Sequence, residues 1–153
     1  MNYTLIIPFY NEEKNISSFN NELIKNLKIN DDGKRNFEII YVDDGSSDET
    51  FNELKKLGTN PFETLIIKHR TNLSQSGAIN TGVINSKYEN IIIMDGDLQN
   101  DPNDLQKMIT EFEKGPDMVI CWRKNRKDNF FKRMSLAQLT EKPHQSDKRC
   151  NAI

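Results

Sequence analysis

Two carboxylates one residue apart, Asp95 and Asp97, flank Gly96 in the stretch Met94-Asp95-Gly96-Asp97-Leu98-Gln99. Side by side such groups repel, so a site built on them favours a shared proton or a bound cation. Hard oxygen donors suit Mg²⁺ or Mn²⁺, ions that commonly bridge to substrate phosphates rather than sit in an all-protein cage. Gln99 can add a neutral oxygen to the same cation. A calcium EF-hand loop does not fit: it needs Gly at its sixth position and Glu at its twelfth, and counted from Asp95 these are Asn100 and Gln106. The plainer alternative is a solvated acidic turn. The flanks weigh against it. Ile91 to Met94 is an apolar run without alternation, as expected of a strand buried on both faces. Asp101-Pro102 reads as a helix start, with Asp as N-cap and Pro at the first helical position. Gly96 leaves room for a tight turn. The acidic pair therefore falls at the carboxyl end of a strand, the edge where open α/β sheets bind ligands.

A second acidic pair, Asp43-Asp44, follows the apolar run Phe37 to Val42 and precedes Gly45-Ser46-Ser47-Asp48-Glu49-Thr50. A carboxylate there can accept hydrogen bonds from a ribose or a base. It can equally cap the next helix, and the residues leave both readings open. Ser46 with Glu49 predicts a capping box. Arg123-Lys124-Asn125-Arg126-Lys127 follows the last strand expected. Arginine grips phosphate oxygens with a two-pronged fork, although such a run on its own is most simply a basic surface. His69 stands isolated and reads as structural rather than catalytic.

The elements that must position these groups alternate. Tyr3 to Phe9 is a first strand, ended near Pro8, which has no N–H for a ladder. Ile16, Phe19, Leu23, Ile24 and Leu27 recur at helical spacing. Strands over Phe37 to Val42 and Glu63 to His69 bracket a helix with Phe51, Leu54 and Leu57 inward. Asn72 to about Ser86 is a further helix with small residues on it. After the Ile91 strand, Leu105, Met108, Ile109 and Phe112 form a helix stopped by Gly115-Pro116, and Asp117 to Trp122 is a fifth strand. Strands alternating with helices predict an α/β fold, a mainly parallel sheet with helices on both faces. Right-handed crossovers then bring every motif above to one edge.

Composition sets the bounds. A chain of 153 residues can build one domain with a real core. No apolar run approaches the roughly 20 residues of a membrane helix. No basic segment precedes the first apolar run, so no signal peptide is expected. Cys121 and Cys150 make no disulfide or metal pattern. These features predict a soluble, cytoplasmic chain. Residues 1–122 carry a net charge of −8 and residues 123–153 a net charge of +6. The acidic body argues against nucleic-acid binding. The basic end could meet phosphates or the cytoplasmic face of an anionic membrane as a peripheral contact, or it is a solvated tail.

Five motifs in order resemble those of family-2 glycosyltransferases with the GT-A fold, in particular the polyprenyl-phosphate (dolichyl-phosphate mannose synthase-like) sugar transferases. They are Ile7-Pro8-Phe9-Tyr10-Asn11-Glu12, Val42-Asp43-Asp44-Gly45-Ser46-Ser47-Asp48, Asn72-Leu73-Ser74-Gln75-Ser76-Gly77-Ala78, Met94 to Pro102, and Trp122-Arg123-Lys124-Asn125-Arg126-Lys127-Asp128. The resemblance implies a UDP- or GDP-sugar donor, a Mg²⁺ or Mn²⁺ ion, and a polyprenyl phosphate or other glycan acceptor. By it, Pro8, Tyr10 and Glu12 line the nucleotide pocket, and Val42, Asp43 and Asp44 lie at the base or ribose. Asp95, Gly96, Asp97 and Gln99 form the acidic metal motif. Arg123, with Arg126, meets the phosphates, and Asp97 and Arg123 carry the catalytic load, with inversion at the sugar carbon. It covers residues 3 to about 135. Beyond Ser135 such chains usually continue with an amphipathic helix that completes the acceptor side. Here residues 136–153 are polar and without helical period, which reads as a truncated or shifted end. The division expected is a donor-binding domain over 1–135 and an atypical tail over 136–153. Two alternatives stand beside transfer. One is a non-catalytic nucleotide-sugar-binding fragment. The other is a phosphatase with Asp95 as nucleophile, a class that usually places its Asp-x-Asp after the first strand.

Overall fold

The computed structural model describes residues 1–29, 33–58, 60–96 and 104–121 and the backbone of 151–152. The apolar runs become strands β1 (Asn2–Phe9), β2 (Asn36–Asp43), β3 (Glu63–Lys68) and β4 (Asn90–Ile93), joined by helices α1 (Ile16–Ile29), α2 (Thr50–Lys56) and α3 (Ser74–Ile84). All pairings among the four are parallel, in the order β3-β2-β1-β4. β1 and β2 are central, which is why their runs do not alternate: Leu5, Ile6, Ile7, Ile39, Ile40, Tyr41 and Val42 are all fully buried. Each such side chain contributes roughly 1.5–3 kcal/mol by leaving water.

Alternate residues of the central strands face different helices. Phe9 packs edge-on against Phe19 of α1, and the Tyr41 hydroxyl donates to Asn20 Oδ1 at 2.6 Å. Burial pushes the Tyr41 phenol above its ordinary range, so it stays a neutral donor. The Lys68 ammonium lies over the Phe51 ring of α2, which puts α2 on that same face. On the opposite face Ile40 and Val42 enclose Ala78 of α3. Gly82 of α3 meets Ile6 so closely that a Cβ would stand 2.4 Å from its methyl. The small residues of α3 thus bring the helix axis close to the sheet.

This arrangement follows from the crossovers. β1, β2 and β3 step in one direction with α1 and α2 on one face. The chain then returns past β1 to form β4, and a right-handed return places α3 on the other face. The reversal leaves a crevice between the carboxyl ends of β1 and β4.

Three expectations need correction. Ile93 is 45% exposed and Ile91 half-buried, so β4 is not covered on both faces by the described residues. Among the described residues, the run beginning at Asp117 does not join the parallel sheet. It supplies only β5 (Val119–Ile120), paired antiparallel with the backbone of β6 (Asn151–Ala152). An apolar run says that a strand forms, not which partner it takes. The capping box is also absent. α2 starts after Glu49 without a side-chain cap, and Ser46 Oγ instead accepts the Asn11 N–H at 2.9 Å.

Residues Met1–Leu105 form one unit and Gln106–Ile153 a second. α4 (Leu105–Phe112) buries Leu105 and Ile109, and the chain turns out of it at Gly115, whose φ of +111° suits glycine. Asp101-Pro102 lies outside the described residues.

Candidate functional site

Loops at the carboxyl edge of the sheet surround a cavity of about 480 Å³ in the first unit. β1 supplies Pro8, Phe9, Tyr10 and Glu12, β2 supplies Asp44, and β4 supplies Asp95 and Gly96. The β3–α3 loop adds Asn72, Ser74 and Gln75. The cavity thus lies at the switch point that the strand order creates.

The β1 loop is held by side chains of the β2 loop. Asn11 adopts a positive φ of 54°, a conformation asparagine tolerates. Its Oδ1 accepts from the Ser47 N–H at 2.9 Å. The Glu12 N–H donates to Thr50 Oγ1 at 2.9 Å, and the Glu13 N–H to Asp48 Oδ2 at 3.3 Å. In return Glu13 Oε2 accepts the Glu49 N–H at 3.1 Å. Ser46, Ser47, Asp48 and Thr50 therefore fasten the two loops together. Gly45 turns this loop with a φ of +71° and lets the β3–α3 loop pass close by, since a Cβ would stand 2.5 Å from the Thr71 backbone carbon.

Asp43 and Asp44 part company. Asp43 is fully buried, its Oδ1 accepting the Ser46 N–H at 2.9 Å, while its Oδ2 has no hydrogen-bond partner among the described residues and stands 3.9 Å from Lys68 Nζ as an ion pair. Asp44 reaches the cavity wall. Its Oδ1 accepts the Leu73 N–H at 2.8 Å and lies 2.8 Å from His69 Nδ1. His69 Nε2 in turn lies 2.9 Å from Thr81 Oγ1. His69 is buried and away from the cavity lining, in keeping with a structural part.

Asp95 lies across the cavity, and its Oδ1 accepts from the Gln75 amide at 2.6 Å. Gly96 is seated on Phe9, where a Cβ would come within 2.2 Å of the ring. Glu12 Oε2 accepts from the Asn15 amide at 2.5 Å. Ser74 has a φ of +72°, and its N–H donates to Asn72 Oδ1 at 2.9 Å. A non-glycine residue held in that region carries on the order of 1–3 kcal/mol of strain, and such strain gathers at binding sites.

Of the residues expected at the site, Pro8, Tyr10, Glu12, Asp44, Asp95 and Gly96 share this cavity. Val42 and Asp43 do not line it, and Val42 packs in the core with Ile40 and Ala78. Asp97, Gln99, Arg123 and Arg126 lie outside the described residues. Asn72, Ser74 and Gln75 fall in the third of the five motifs, but the sequence assigned them no role at the site. The available signal was the polar run before Gly77, which reads there as the start of a helix. Among the described residues no three His, Cys, Asp or Glu side chains gather as a metal cage.

The family model described as Glycosyl transferase family 2 matches residues 4–152. A dodecaprenyl-phosphate galacturonate synthase of Rhizobium johnstonii is 35% identical over 132 residues, which cover 85% of this chain and 38% of that protein. An undecaprenyl-phosphate 4-deoxy-4-formamido-L-arabinose transferase of Edwardsiella ictaluri is 32% identical, over 85% of this chain and 39% of that protein. The chain thus spans under two-fifths of the length of either relative. Among solved structures, mannosyltransferase PcManGT from Pyrobaculum calidifontis, in complex with GDP-Man and Mn²⁺, superimposes with a TM-score of 0.67 at 20% identity. The match covers 80% of this chain and 35% of that one. At that identity the likeness shows the fold, the GT-A arrangement expected from the motifs.

Proposed function

Because the chain belongs to glycosyl transferase family 2, we propose that its cavity holds a UDP- or GDP-sugar whose sugar passes, with inversion, to a polyprenyl phosphate. One observation carries this reading. Asp44 and Asp95, from different strands, converge with Pro8, Tyr10 and Glu12 on a single cavity at the switch point of the sheet. Asp44 takes the ribose or base, with Val42 and Asp43 behind it. The names of the two relatives, for dodecaprenyl and undecaprenyl phosphates, support the acceptor class.

The donor atoms fit a hard divalent ion. Asp95 offers a carboxylate on the cavity wall, and Asp97 and Gln99 are two and four residues further along. One or two carboxylates suffice for Mg²⁺ or Mn²⁺, which keep waters and share substrate phosphates. Asp95, Asp97 and Gln99 would hold that ion, and when bound it offsets the charge that develops on the leaving nucleoside diphosphate. Arg123, assisted by Arg126, donates to the same phosphates. An acceptor phosphate is already an anion, so it needs orientation more than a strong base. The basic residues after 122 suit peripheral contact with the cytoplasmic face of an anionic membrane.

Calorimetric titration with UDP- and GDP-sugars, with and without Mn²⁺, tests the reading. The wild type binds one class in an Mn²⁺-dependent manner, Asp97→Ala loses that dependence while staying folded, and Arg123→Ala weakens the diphosphate more than the nucleoside. Equal donor affinity in wild type and Asp97→Ala overturns it. Sugar transfer to an added polyprenyl phosphate then separates an enzyme from a binding module.

A further inference from the structure

We infer that His69 is a positioning residue for donor recognition: it fixes the Asp44 carboxylate so that one oxygen is held by the protein and the other is presented to the cavity. The inference rests on the reading of Asp44 as a nucleotide contact and goes beyond it in saying what sets its geometry.

His69 follows β3, and its backbone N–H donates to the Asp43 carbonyl at 2.9 Å. Its ring spans from Asp44 Oδ1 at 2.8 Å to Thr81 Oγ1 of α3 at 2.9 Å. A carboxylate only accepts, so Nδ1 carries the proton toward Asp44. In the neutral ring Nε2 then accepts from the Thr81 hydroxyl, a tautomer assigned from this bond network. The Leu73 N–H adds a second donor to the same Asp44 oxygen. Oδ1 is thereby saturated, while Oδ2 has no protein partner among the described residues and belongs to a side chain on the cavity wall. Turning the carboxylate would strand two donors, His69 Nδ1–H and the Leu73 N–H, in a site where Asp44 is 3% exposed. The same bonds tether both ends of the segment 69–73, just before Ser74 and Gln75 of the cavity wall. An imidazole suits the place because it donates at one end and accepts at the other, across three elements.

Asparagine and glutamine separate positioning from packing. The amide of His69→Asn stands near the Nδ1 position and keeps the donor to Asp44, but gives up Thr81. His69→Gln reaches the Nε2 position and keeps Thr81, but gives up Asp44. Both are polar and similar in size. UDP and GDP, each with Mn²⁺, are titrated into the full chain, with thermal midpoints recorded alongside. The expected result is that His69→Gln binds the preferred nucleotide about 10–100-fold more weakly, the scale on which outer partners of ligating groups act. His69→Asn recovers most of that affinity, and in any transfer assay the loss falls on KM for the donor and not on kcat. Equal affinities in wild type, His69→Asn and His69→Gln overturn the inference, whatever the thermal midpoints do. Asp44→Ala is the control that keeps the two readings apart. If it binds nucleotide like the wild type, the assignment of Asp44 itself fails. If it loses binding and His69→Gln does not, the inference about His69 fails alone.

Discussion

A methyl group at position 96 would land on the ring of Phe9, which also packs against Phe19 and Tyr41. Gly96 is thus required by packing. Gly96→Ala is expected to destabilise the fold by about 1–3 kcal/mol, the usual scale for forcing extra volume into a filled core. Urea unfolding should show a lower midpoint with an unchanged slope, and Phe9→Leu in the same background should recover part of the loss. Asp48 gives a residue-scale prediction with a pH signature. Partial burial raises its pKa, but bonds from the Thr50 hydroxyl and from the Thr50 and Glu13 N–H groups outweigh that and leave it lowered. A depressed carboxylate contributes stability above its unfolded pKa of about 4 and loses it as pH falls through the lower folded value. Asp48→Asn should therefore be less stable than wild type at pH 7. The two should converge as pH drops below 4 in a series of denaturation curves. A deficit that stays constant to pH 2 would mean that Asp48 acts by shape and not by charge.

At the scale of elements, the two ends of the sheet carry different duties. At the amino end Glu38 is buried, and its Oε2 accepts from the Thr4 hydroxyl at 2.6 Å and from the Lys87 N–H at 2.8 Å. Thr4 Oγ1 also accepts the Tyr88 N–H at 3.2 Å, so this node pins the return from α3 into β4. Glu38→Ala leaves those donors unsatisfied and should cost about 1–3 kcal/mol of stability, with Glu38→Gln milder. Because the node is at the far end of the strands from the cavity, nucleotide affinity of the folded protein should not change. Calorimetry beside thermal unfolding checks both halves. This division also explains what could be read from residues alone. β1 and β2 were legible because central strands need unbroken apolar runs, and Asp44 and Asp95 because they end such runs. The partner of β5 and the exposure of Ile93 were not, since a short run records burial without naming a neighbour. The His69 bridge and the Gln75 bond to Asp95 depend on elements that meet only in three dimensions, so no local spacing announces them.

For the whole molecule, strand order and charge together decide where a phosphate-bearing donor can bind. Residues 1–122 carry a net charge of −8, and Glu12, Asp44 and Asp95 stand around the cavity itself. A diphosphate entering there meets repulsion that a divalent ion and arginines must offset, whereas an uncharged nucleoside does not. The proposed reading therefore predicts that Mn²⁺ strengthens nucleoside diphosphate binding strongly and nucleoside binding little. Hydrogen exchange on the full chain can place that binding on the fold. The cavity draws its walls from the loops after β1, β2, β3 and β4, so a UDP- or GDP-sugar with Mn²⁺ should slow exchange in residues 10–15, 44–48, 70–76 and 95–96. Exchange should stay unchanged in 33–36 and 85–89 at the amino edge. Protection spread evenly over both edges would indicate general stiffening by the ligand. Protection confined to the amino edge would place the donor away from Asp44 and Asp95, and the transferase reading of this cavity would have to be abandoned.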